Sequence, residues 1–376
     1  MGRNKKAFIY DRVLASHSLG ESHPLIPTRL RYTYELLQNF GAFDVEDSYV
    51  VKPRKASFDE VTSFHTQNYA TAVSNFSRGH YLSQISEFNL SASGDNPVYP
   101  GMYEAGLWSV GGSLKAVELL LEENFSVATN LSGGLHHAMP GYASGFCVFN
   151  DPVIAINQMV NFGLRVAYVD IDCHHGDGVE AAFYENDKVL TISLHESGNF
   201  LFPGTGFCEN MGFGKGLGYA INLPLHPDTD DEVYESAFTQ VVPPIIQAFR
   251  PEILVTQIGI DTHFRDPLTH LRLTVRGFEN LIHKLSLLSP GRWLVLGGGG
   301  YDLRAVVQGW AGAYGIILNQ SWPEKTPKEF RGKYGVEVLH DPLPEQVPSA
   351  ARELAFSYAQ RGVNFIRKNI FPIHGI

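Results

Sequence analysis

Short apolar runs rich in β-branched residues recur at 7–10, 126–130, 165–171, 189–194, 253–258 and 293–296, each bounded by polar or turn residues. Between them lie longer stretches in which apolar positions return every three or four residues, at 28–38, 101–123, 151–162, 232–249, 274–288 and 303–319. Runs that are apolar throughout suit strands covered on both faces, and their alternation with amphipathic helices predicts a parallel sheet wrapped by helices. A further strand is predicted at 219–223, entered through the glycine-rich segment 212–218, which lacks both the Ser/Thr and the following helix of a phosphate loop. The four glycines at 297–300 also lack dinucleotide-site spacing and read as a tight turn placing Tyr301 at a strand end. A last amphipathic stretch, 350–368, is expected to pack back on the body or on a partner. With no linker-like stretch or internal repeat, the chain is predicted to be one domain over residues 1–376, with a motif-bearing core of about 5–320 and a helical extension at about 321–376.

Composition narrows the class. A chain 44% hydrophobic and 18% charged, with 37 glycines, is that of a packed, loop-rich globular protein. Its net charge of -10 argues against nucleic acid, which needs a basic stripe to neutralise phosphates, and favours cationic partners such as lysine-rich segments or polyamines. Cys147, Cys173 and Cys208 are odd in number and form no CxxC pair, so neither a disulfide framework nor a cysteine zinc site is indicated and a reducing cytoplasm fits. No apolar run reaches membrane-spanning length, and the first residues lack a signal-peptide core; the expectation is a soluble cytoplasmic protein without membrane partners.

The chemistry is signalled by polar groups at strand ends, because ligand sites in α/β sheets form beyond the carboxyl ends of strands. One strand leads into Asn130 and then His136 and His137; a second into Asp170, Asp172, His174, His175 and Asp177; a third into Asp261 and Asp266; a fourth into Tyr301. Asp172 and His174 are two apart where a strand runs out, so extended backbone points both side chains the same way, as two ligands of one metal require. Asp266 is a candidate third. Such a set with an open fourth position describes a catalytic zinc. Taken alone, the Asp-x-Asp-x-His-His string equally describes a helix cap beside a satisfied core histidine, and adjacent histidines on a glycine-flanked loop describe an exposed turn. In combination, His136 and His137 offer the base and acid that amide hydrolysis needs, with Asp170 and Asp177 as partners that would fix their tautomers.

The ordered segments SGGLHHA, GFCVFND, DIDCHHGDGVE, TISLHE, FPGTG, DTHFRDPL and GGGGYD resemble the histone deacetylase superfamily, and within it the bacterial acetoin-utilisation proteins, over about residues 5–320. The resemblance implies a single arginase/deacetylase-like α/β domain, a central parallel sheet flanked by helices, that hydrolyses the acetyl amide of acetylated lysine. It implies zinc on Asp172, His174 and Asp266, with ferrous iron as the alternative metal in cells. Tyr301 would polarise the acetyl carbonyl, His137 would act as base and then acid, and His136 as its electrostatic partner. Phe146 and Phe202 would wall a tunnel, the Gly145 carbonyl would receive the amide N–H, Asp95 would grip the substrate backbone, and Arg29 would lie near an acetate exit. Structural potassium would map to Asp170, Asp172, His174, Ser193 and Leu194, and a second ion to the carbonyls of Phe183, Asn186, Val189 and Tyr219. His263, Phe264 and Arg265 before Asp266, and Asp302 after Tyr301, depart from many eukaryotic relatives and look like the bacterial subgroup. The same resemblance leaves an acetylpolyamine or other small acetylated amine as the alternative substrate, and a non-catalytic acetyl-lysine binder as a remoter one. A ureohydrolase would share the fold but needs further aspartates for two manganese ions.

Overall fold

The computed structural model describes residues 4–376 apart from 21, 343 and 345. Eight strands form one sheet: β1 (Lys5–Ile9), β2 (Ser48–Val51), β3 (Phe125–Asn130), β4 (Val166–Asp170), β5 (Val189–Glu196), β6 (Ala220–Leu225), β7 (Ile253–Gln257) and β8 (Trp293–Leu296). Every pairing is parallel, in the order β2-β1-β3-β8-β7-β4-β5-β6. Side chains alternate between two cores, as the pleat demands. Ala7, Ile9, Val166, Tyr168, Leu294 and Leu296 face the helices Met102–Glu122, Asp151–Asn161 and Asp177–Phe183. Phe8, Ala167, Val169, Trp293 and Val295 face Thr28–Asn39, Asp231–Phe249, Val275–Leu288, Leu303–Leu318 and Ser349–Asn369. With apolar layers on both sides, β4, β7 and β8 are buried along their whole length, which is why their sequences carry no alternation.

The predicted elements are all present with ends shifted by one or two residues, and the sheet gains β2, which escaped notice because its four residues are half exposed at the edge. The segment 212–218 is a loop with a single helical turn at Gly214–Gly216, as its composition suggested. The carboxyl-terminal residues fold onto the domain rather than standing apart: Ser349–Asn369 packs against Asp231–Phe249 and β6, burying Ala355, Ala359, Val363 and Ile366. Before it, Lys328–Tyr334 inserts Phe330 into the core.

The topology sets the site. The chain leaves β3, crosses to β4, winds outward through β5 and β6, then returns to fill the middle with β7 and β8. The strands that carry polar ends, β3, β8, β7 and β4, therefore lie side by side.

Candidate active site

Beyond the end of β4, backbone N–H groups turn back onto the last carboxylates: Asp172 N–H donates to Asp170 Oδ1 at 3.1 Å and His174 N–H to Asp172 Oδ1 at 2.9 Å. This places His174 Nδ1 3.2 Å from Asp172 Oδ1 and 2.9 Å from Asp261 Oδ2. Asp172, His174 and Asp261 are buried, and their ligand atoms lie within 4.8 Å of one another. Asp266, named as third ligand from sequence, is not in that trio; its carboxylate accepts the N–H of Leu268 at 3.0 Å and of Tyr301 at 2.8 Å. Burial and the neighbouring charge of Asp261 push Asp266 up to about 8. Asp172, His174, Asp261 and Asp266 are all buried, and one nitrogen with carboxylate oxygens is a donor set that suits zinc.

The histidine pair stands beside it. His136 Nδ1–H donates to Asp170 Oδ2 at 2.7 Å, His137 Nδ1–H to Asp177 Oδ1 at 2.7 Å, and the two Nε2 atoms are 3.1 Å apart. The environments split them. Burial alone would lower His136, but Asp170 and Asp172 outweigh it and hold it up at about 9. Burial and then the positive charge of His136 bring His137 down to about 4. The opposed shifts make His136 the more basic ring and His137 the less basic one, each with its Nε2 turned away from its aspartate.

Rings enclose this corner. Phe202 lies edge-on to His137 with centroids 5.1 Å apart, and Phe146 lies edge-on to Tyr301 at 5.6 Å. Tyr301 is also 6.4 Å from the His174 ring. One cavity is lined by His136, His137, Gly145, Phe146, Asp172 and Tyr301, and Arg29 lines both it and a second cavity running to His17 and Tyr99. The buried Arg29 guanidinium donates to the carbonyls of Gly298 (2.6 Å) and Gly300 (3.0 Å) and lies over Trp310, so it holds the turn that delivers Tyr301. That turn needs glycine, since Gly298 and Gly300 have φ of +129° and +133°. Gly145 (φ +49°) precedes Phe146 (φ +67°) in a left-handed bend, and a Cβ there would stand 2.3 Å from His137.

Asp95 is exposed beside Asn96, whose Oδ1 accepts the N–H of Phe146 at 2.9 Å, so the Asp95 loop is tied to Phe146. Asp170 and Ser193 are register partners on β4 and β5, while the Leu194 carbonyl accepts from Tyr234 at 3.2 Å. The carbonyls of Phe183 and Tyr219 accept the N–H of Asn186 and Thr191, both at 2.9 Å, and Val189 opens β5.

Sequence reasoning missed the residues that hold these groups. Asp151 accepts the N–H of Gly134 and Leu135 at 3.0 Å and fixes the turn before the histidines. Asn150 donates to the carbonyls of His136 and Ala138, and Gln257 to Asp172 Oδ2 at 2.6 Å. The Asn-Asp pair opening a helix was a visible signal, but it pointed equally to a simple cap; Gln257 left none.

A histone deacetylase domain matches residues 23–317. The chain is 40% identical over 310 residues to the acetoin utilization protein AcuC of Bacillus subtilis, covering 81% of this chain and 80% of that one. It is 37% identical over 328 residues to histone deacetylase 1 of Homo sapiens, covering 86% and 67%. Among solved structures, an HDAC homolog complexed with SAHA superposes with a TM-score of 0.85 at 28% identity, over 96% of this chain and 100% of that one. One from Aquifex aeolicus gives 0.86 at 27%, with the same coverage.

Proposed function

The chain belongs to the histone deacetylase family, and from that premise we propose that it is a zinc-dependent amidohydrolase releasing acetate from acetylated lysine in proteins. The observation that carries this reading is the pair of His136 and His137, their Nε2 atoms 3.1 Å apart, each backed by an aspartate and set beside the buried Asp172 and His174. Asp172, His174 and Asp266 would hold the zinc. Asp261, which accepts from Cys173 N–H at 2.7 Å and lies 2.9 Å from His174 Nδ1, would stand behind that ligand. Bound zinc supplies Lewis acidity and a more acidic water.

The rest is done by the chain. His137 Nε2 takes the proton of the attacking water and returns it to the departing lysine nitrogen, with His136 as its electrostatic partner, while the Tyr301 hydroxyl stabilises the oxyanion that forms. Phe146 and Phe202 sandwich the lysine methylenes, the Gly145 carbonyl accepts the amide N–H, and Arg29 lines the route by which acetate leaves. Asp95 accepts backbone N–H groups beside the acetyl-lysine. Potassium is proposed at Asp170, Asp172, His174, Ser193 and Leu194, and at the carbonyls of Phe183, Asn186, Val189 and Tyr219. The three cysteines are buried and free, which accords with a reducing cytoplasm.

The test is a preparation carrying one zinc per chain, assayed on acetyl-lysine peptides, acetylated proteins and acetylpolyamines, with and without a hydroxamate. Turnover of the peptides, blocked by the hydroxamate, is expected; preference for a free acetylpolyamine would move the substrate to a small cation. Asp266→Ala should lose zinc and activity together, and normal zinc content in that variant would return Asp266 to a structural role.

A further inference from the structure

The loop that carries Asp266 is held from outside the family-matching region. That match ends at residue 317, yet the buried carboxylate of Asp341 reaches back to the loop. Asp341 Oδ2 accepts from His263 Nε2 at 2.7 Å, and Asp341 Oδ1 lies 2.5 Å from Nη1 of Arg265. His263 Nδ1 in turn accepts the Arg265 backbone N–H at 3.2 Å, so the ring's single hydrogen sits on Nε2 and points at Asp341. The His263 carbonyl then accepts the Asp266 N–H at 2.8 Å.

A second tie runs in parallel. Arg265 Nη2 donates to Gln308 Oε1 at 2.8 Å, and the other end of the same amide donates to the Val338 carbonyl at 2.9 Å. The strap bearing Val338 and Asp341 is itself fixed, with Lys325 bridged to Val338 and Leu339 N–H donating to the Glu324 carbonyl at 2.8 Å. His263 and Arg265 thus each have a partner on that strap.

We propose that Asp341 is a positioning residue for the metal site: by gripping His263 and Arg265 it sets the direction in which Asp266 presents its carboxylate. The inference rests on the zinc reading above. Its physical basis is that carboxylate ligands keep their aim only when the groups behind them are held, and that loss of such an outer support weakens metal binding by about 10- to 100-fold.

The experiment is Asp341→Asn in the full chain, with the zinc Kd measured by competition against a chromogenic chelator, melting temperature recorded, and kcat and KM taken at saturating zinc. A Kd weaker by about 10- to 100-fold is expected, with kcat reduced and the KM for an acetyl-lysine peptide close to wild type. In the double variant Asp341→Asn/His263→Gln the Kd should be no weaker than in the weaker single, because both substitutions break one link. If Asp341→Asn does not fold, Arg265→Lys, on a partly exposed side chain, carries the same expectation. An unchanged zinc Kd beside a lowered melting temperature overturns the proposal and leaves Asp341 as a structural tie. A wild-type chain that takes up no zinc overturns the zinc reading and this inference with it.

Discussion

Tyr301 owes its position to others: Arg29 grips the two carbonyls before it and Asp266 accepts its N–H. With the backbone so fixed, Tyr301→Phe removes only a hydroxyl, and kcat should fall on the order of 100-fold or more while zinc content stays at the wild-type level; near-normal turnover would take the phenol out of the mechanism. Gly145 is held differently, by space. A methyl group there would meet His137 at 2.3 Å in a left-handed bend, so Gly145→Ala is expected to displace the base and depress kcat with little effect on the metal. Asp95 separates substrates. If it accepts two N–H groups of a peptide, bonds worth roughly 1.5–3 kcal/mol are lost in Asp95→Ala, or about 10- to 150-fold in kcat/KM on a peptide. A small acetylated amine has no such N–H groups and should be spared; equal losses on both would return Asp95 to its turn.

The element that follows Leu303–Leu318 is a strap, and its docking carries a pH dependence. His340 lies between Glu279 on Val275–Leu288 (2.9 Å) and Glu324 (2.7 Å), and the Glu279 hydrogen bond leads the causes that raise its pKa. A histidine raised in the folded state stabilises fully below its unfolded value of about 6.5 and loses that contribution as pH climbs through the folded value. His340→Gln should therefore lower the melting temperature at pH 6 and change it little at pH 9; an equal drop at both would show that packing, not charge, fixes the strap. Asp302 joins element to site, since it caps Leu303–Leu318 through Ala305 N–H at 2.8 Å and lies 3.6 Å from Arg265. Capping the helix it precedes is a local role for an aspartate. Its reach to Arg265 crosses between two strand-end loops and has no local signal.

The molecule as a whole buries Asp172 and Asp261 in one cluster and Asp266 within reach of the charge of Asp261, on a chain already at -10. Stripping the metal should lower the melting temperature, and zinc at about a thousand times its Kd should restore roughly 4 kcal/mol of stability; identical melting curves with and without zinc would mean no metal engages the folded state. The order of elements, the strand ends that carry chemistry and the residues Asp170, Asp172, His174, His136, His137 and Tyr301 were all legible in the sequence. Period and spacing are local properties, and a strand that ends in Asp-x-Asp-x-His projects its ligands wherever it lies in the sheet. Only the tertiary structure placed β7 and β8 between β3 and β4, because strand order follows from which crossovers bury the most surface across the whole sheet. It alone brought Gln257 to Asp172, Asp151 beneath the histidine loop, Asp261 against His174 and Asp341 to His263. Each of those pairs is far apart in sequence, and no periodic signal records which distant carboxylate a buried donor will meet.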